Sequence, residues 1–139
     1  MINSRDVIRM KVPFPDISSS LAIQSHMYIC KDSVHPSYGF IKCQTLKPYM
    51  LTSPIMSHYI DEPADVTRNP FKRTSRIDCD KLFTSSSVSY SDSLKATIRT
   101  DVCEELFSKI ISELVTDGYC SIPIYEPDLV AINSQISFI

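Results

Sequence analysis

The sequence predicts an α+β fold dominated by β-strands. Three observations carry this: alternating apolar and polar stretches through the first half, proline- and serine-rich breaks between them, and one strongly amphipathic helix near the C-terminus. The first alternating stretch is residues 5–12, with Val7, Arg9 and Lys11 on one face and Ile8, Met10 and Val12 on the other. That is the pattern of a half-buried strand. Pro13 and Pro15 end it, because each lacks a backbone donor, and Phe14 between them is an apolar anchor. Ser18, Ser19 and Ser20 then read as a polar loop.

Residues 26–31 form a second strand and residues 38–45 a third, rich in aromatic and β-branched types. The polar turn at 32–37, with Pro36, makes them an antiparallel hairpin, which Pro48 stops. Residues 49–70 hold Pro54, Pro63 and Pro70 and the acidic group Asp61, Glu62 and Asp65. They read as a long surface excursion with at most a short strand or a turn of helix. Residues 74–83 are strand-like, with Ile77, Cys79, Leu82 and Phe83 apolar. The serine-rich stretch 85–93 is an edge strand or a loop, with Val88 and Tyr90 alternating. The surest element is a helix over 100–117. Val102, Leu106, Phe107, Ile110, Ile111 and Leu114 make its apolar stripe, Asp101 and Glu104 mark its start, and Gly118 its stop. A weaker helix is expected over 127–138 through Leu129, Ile132 and Ile136.

Composition narrows the function. A chain of 139 residues makes one domain, residues 1–139, with the irregular insertion at 49–70. The net charge of −2 gives no global attraction to nucleic acid, so any such site is a local patch, as at Lys72, Arg73 and Arg76. No run approaches the roughly 18 apolar residues of a membrane span, and no signal-peptide stretch opens the chain. A cytoplasmic protein without membrane attachment is expected. The only glycines, Gly39 and Gly118, exclude dinucleotide and Walker phosphate loops. Cys30, Cys43, Cys79, Cys103 and Cys120 show no CxxC spacing, so reduced core thiols are expected and no zinc site.

The order of these short motifs resembles one family. The strand ending Val12-Pro-Phe-Pro-Asp-Ile17 before the serines, the strand through Tyr28 and Cys30, and the strand closing Cys43-Gln-Thr45 are similar to successive strands of the MazF/PemK/Kid toxins of toxin–antitoxin pairs. So are Ile77-Asp-Cys-Asp-Lys81 and the amphipathic helix, and together the motifs span residues 5–116. The resemblance implies a small SH3-like barrel (MazF/CcdB type) with a C-terminal packing helix, usually a homodimer. It implies metal- and cofactor-independent cleavage of single-stranded RNA with the ribose 2′-hydroxyl as nucleophile, and a cognate antitoxin protein as partner. It places Asp80 at the family's acidic position and Thr45 as a phosphate contact. Two family arginines are replaced: Gln24-Ser25-His26 stands before the second strand, and Asp78 stands two residues before Asp80. An alternative from another class is therefore a non-catalytic SH3-like barrel module that binds RNA or a protein.

Cleavage by 2′-hydroxyl attack needs a proton acceptor, a proton donor and a cationic clamp on the phosphate. His26 titrates near neutrality and suits the first roles, with Asp80 as its partner. Arg76, on the face that alternation gives to Asp78 and Asp80, supplies the clamp in place of the missing arginines. Lys72 and Arg73 bind the RNA backbone. The structural alternatives are a histidine that merely leads into a strand, and an Asp78–Asp80 face that is solvated opposite buried Ile77 and Cys79. Tyr28, Tyr38 and Phe40 serve either as core or as base-stacking platforms.

Overall fold

The predicted alternation builds a sheet, and both faces of that sheet are covered. The computed structural model describes residues 1–51 and 58–139. Strand β1 (Val7–Met10) runs antiparallel to β2 (His26–Val34), with Arg9 opposite Met27 and Met10 opposite His26. Strand β2 turns into β3 (Ser37–Thr45) as the expected hairpin. The serine loop between β1 and β2 contains one helical turn, α1 (Ser20–Ile23).

Residues 74–83 are not one strand. They split into β5 (Ser75–Asp78) and β6 (Lys81–Ser85), which pair successively with the two halves of β3. The break at Cys79 and Asp80 has a physical reason: the two halves serve different outer neighbours. Strand β4 (Tyr59–Glu62) lies antiparallel on β5, and β8 (Cys120–Pro123) lies parallel on β6. At the break the Cys79 amide donates to the His58 carbonyl and the Cys120 amide donates to the Asp80 carbonyl, so the chain is held on both sides as it changes partner. Gly39 permits the close packing of β6 on β3, since a Cβ there would meet Leu82 Cδ2 at 3.0 Å.

Helix α2 (Glu104–Asp117) covers one face. Its Leu106, Ile110 and Leu114 are fully buried against Val7, Ile29, Ile41 and Ile77. It starts later than the sequence implied. Cys103 is the N-cap, its Sγ accepting from the Leu106 amide at 3.4 Å, whereas Asp101 is ion-paired with Arg99 and Arg5. Gly118 ends the helix at φ 78°, where L side chains are disfavoured.

The other face is covered by α3 (Glu126–Ile132) and by β7 (Val88–Tyr90) paired with β9 (Ile136–Phe138). The helix expected over 127–138 thus occupies only its first half. Asn133 ends it by docking on β1's exit: its side chain accepts from the Lys11 amide at 2.9 Å and donates to the Lys11 carbonyl at 2.7 Å. Burial on both faces explains why Val7 and Ile8 are both inaccessible, although alternation alone predicted one wet face.

The fold is mainly β with helices packed on it, in the order β1-β2-β3-β5-β4 with β6 and β8 alongside. Among the described residues the pairings leave the sheet open rather than closed into a barrel. In the 49–70 region a 3-10 turn at Pro48–Leu51 and strand β4 are formed, and the expectation for residues 52–57 lies outside the described residues. Among the described residues no helix is long and apolar enough to cross a membrane.

Candidate nucleic-acid interface

Strand register brings one set of the sequence-predicted residues together. Arg9 lies opposite Met27, Met27 opposite Cys43, and Thr45 opposite Ser75. Loop 69–73 passes beside this row. Its anchor is Asn69, whose Oδ1 accepts from the Phe71 amide at 3.0 Å and whose Nδ2 donates to Glu62 at 3.1 Å. Phe71 is thereby buried in the α2-side core, and the next two residues, Lys72 and Arg73, are left exposed.

The result is a cavity of about 240 Å³ lined by His26, Thr45, Lys72 and Arg73, with Arg9, Met27 and Phe71. Among the described residues no carboxylate lines it. Most cations of the chain are spent on carboxylates: Lys42 and Lys81 on Asp78, Arg68 on Glu62, Arg76 on Asp61, Lys95 on Asp6. Arg9, Lys72 and Arg73 form no ion pair with the described residues. In a chain of net charge −2 this is a local concentration of uncompensated positive charge.

His26 opens β2 at the mouth of this cavity, half-buried. Its Nδ1 is 3.0 Å from the Gln24 carbonyl, which can only accept, so Nδ1 carries the hydrogen and Nε2 holds the lone pair of the neutral ring. Burial is the main influence on this group and pushes its pKa down. The Gln24 bond opposes that shift, while the charges of Lys42 and Arg9 reinforce it. A neutral imidazole at neutral pH is a proton acceptor.

Arg76 and Asp80 stand elsewhere. Arg76 is 2% exposed. Its Nε and Nη2 donate to the two Asp61 oxygens at 2.8 and 2.9 Å, its Nη1 donates to the Met50 carbonyl at 2.9 Å, and its guanidinium lies 3.7 Å over the Tyr59 ring. Asp80, in the break between β5 and β6, pairs with its neighbour Lys81 at 2.9 Å. Neither residue lines the cavity. The polar side of β5, which was expected to be solvated if not catalytic, is buried: Asp78 is wholly inaccessible between Lys42 at 3.1 Å and Lys81 at 3.5 Å. Burial raises the pKa of Asp78 against the opposing pull of these lysines.

Tyr28, Tyr38 and Phe40 belong to the core; Tyr38 stacks on Phe40 at 5.9 Å and Phe83 meets Tyr28 edge-on at 6.1 Å. The cysteines are free thiols, and burial pushes Cys30 and Cys79 up to about 12, far from a thiolate at neutral pH. The residue that the sequence reading missed is Arg9. Its place on the polar side of β1 was visible, but only strand register puts it beside Lys72 and Thr45.

Comparison of the chain with protein-family models, with curated proteins and with solved structures gave no match. The class that fold and surface define is a mainly β domain with a cationic cleft at one end of its sheet.

Proposed function

We propose that this chain is a PemK/MazF-like endoribonuclease that binds single-stranded RNA in the Arg9–Lys72–Arg73 cleft and cleaves it without a metal. The observation that carries the reading is the meeting of uncompensated cations with a neutral histidine in one cavity free of carboxylates. A phosphodiester is the anion that needs both. Arg9, Lys72 and Arg73 hold the phosphate and offset the charge that builds on it. His26 Nε2 takes the proton of the ribose 2′-hydroxyl. The 2′-oxygen forms a bond to phosphorus as the P–O5′ bond breaks, and the 5′-oxygen takes a proton from water. The products are a 2′,3′-cyclic phosphate and a 5′-hydroxyl. Thr45 adds a hydroxyl contact to the phosphate. An SH3-like barrel ancestry, a homodimer, a cytoplasmic setting and an antitoxin partner belong to this same reading.

The second reading is a non-catalytic module that binds RNA through the same cleft. What favours it is the position of Asp80 and Arg76 outside the cleft, which leaves His26 without a carboxylate partner there.

The two readings differ in the effect of His26→Ala. For the nuclease, the substitution lowers cleavage by about two to four orders of magnitude with RNA affinity unchanged. The pH dependence follows from the lowered pKa: the working form is the neutral ring, so the acid limb of the rate profile falls below the ordinary histidine value of 6.5 and the rate holds on the alkaline side. A profile whose acid limb lies above 6.5, or cleavage undiminished in His26→Ala, removes His26 from the chemistry.

A further inference from the structure

A second cavity adjoins the one described above at Lys72. This second lobe, also of about 240 Å³, is lined by Arg9, Met27 and Lys72 together with Pro70, Ala96, Thr97 and Ile98. The two lobes share Arg9, Met27 and Lys72 in their linings, so they adjoin at a ridge that carries two cations. We infer that the second lobe is a nucleotide subsite: it holds the base of the residue adjoining the scissile phosphate, which itself sits at the Arg9–Lys72 ridge. This rests on the RNA reading of the cleft.

One wall of the lobe is fixed by backbone bonds. Segment 95–98 is tied along β1, where the Ala96 amide donates to the Val7 carbonyl at 2.9 Å and Ile8 bridges Lys95. Pro70, buried next to the Asn69 anchor, also lines the lobe. Its lining sets apolar Met27, Pro70 and Ile98 beside Arg9 and Lys72, and Ile98 is 54% exposed. Apolar side chains set directly beside two cations fit an aromatic base joined to a phosphate. A bare phosphate needs no such slot. Thr97 is the hydroxyl in the lobe that can reach a base edge, which makes it a candidate for base selection.

The test compares two uncleavable ligands by calorimetry on the full chain: a nucleoside 3′-monophosphate with a 2′-O-methyl ribose, and the dinucleotide that extends it by one 2′-O-methyl residue. The wild type is expected to bind the dinucleotide about tenfold more tightly, the worth of one well-packed base. Ile98→Ser, an uncharged change at an exposed position, should remove most of that gain and leave the mononucleotide affinity unchanged. Equal affinities of the wild type for the two ligands, or a gain that survives Ile98→Ser in full, overturns the subsite and leaves the phosphate cleft standing. Failure of both ligands to bind removes the cleft reading and the subsite together. An acidic hexapeptide that displaces the dinucleotide at the same concentration assigns the second lobe to a protein partner and also overturns the proposal.

Discussion

Asp61→Ala should lower the unfolding free energy by about 3–5 kcal/mol, the cost of leaving a buried charge without its partner. The Arg76 guanidinium cannot shed its proton, because an arginine stays charged at any working pH. At 2% exposure it is shielded from water, with Asp61 as its cover. The bidentate bond to Asp61 favours the charged form further. With Asp61 removed, the Met50 carbonyl and the Tyr59 ring are the direct contacts that remain to the cation among the described residues. Arg76→Met in the same chain should recover most of the loss, since an apolar residue of similar volume has no charge to strand. The double-mutant cycle, measured by denaturant unfolding, therefore gives a coupling of several kcal/mol. A loss below about 1 kcal/mol for Asp61→Ala, the range of an exposed pair, refutes the structural assignment and returns Arg76 to the list of candidate phosphate clamps.

Replacement of Arg9, Lys72 and Arg73 by alanine should weaken binding of single-stranded RNA roughly hundredfold, taking about 1 kcal/mol per exposed cation. The salt dependence is the sharper signature. Neutralising phosphates releases counterions, so three cations should give a slope of log affinity against log salt near about −2 for a single strand. The triple variant should lose that slope. All three side chains are exposed, and none pairs with a carboxylate among the described residues. Stability should stay within about 0.5 kcal/mol of the wild type, which separates lost binding from lost folding. An unchanged salt slope in the folded variant removes the cleft from RNA binding.

The strands and the long helix were legible because their signals are local. Alternation in β1, the 26–45 hairpin, and the apolar stripe through Leu106, Ile110 and Leu114 need no knowledge of partners. What was not legible depends on contacts between distant segments. Strand β8 has no alternation of its own and exists because the Cys120 amide meets the Asp80 carbonyl. The split of β5 from β6 reflects two different neighbours, and the early end of α3 reflects the docking of Asn133 on Lys11. The same division holds at the site. His26, Thr45, Lys72 and Arg73 were each nameable from sequence, and the fold gathers them. Arg76 and Asp78 read as a polar face, yet strand β4 with Asp61 and the side chains of Lys42 and Lys81 bury them. Alternation says which side a residue takes but not what covers that side.

The most direct measurement of the central claim is the chemistry of the cut ends. A long single-stranded RNA of mixed sequence is incubated with the full chain, beside the same strand made as DNA. Metal-independent cleavage through the 2′-hydroxyl predicts RNA fragments that end in a 2′,3′-cyclic phosphate and begin with a 5′-hydroxyl, unaffected by a chelator, with the DNA strand intact. RNA that stays whole while still bound, or DNA cut at the same rate, contradicts it.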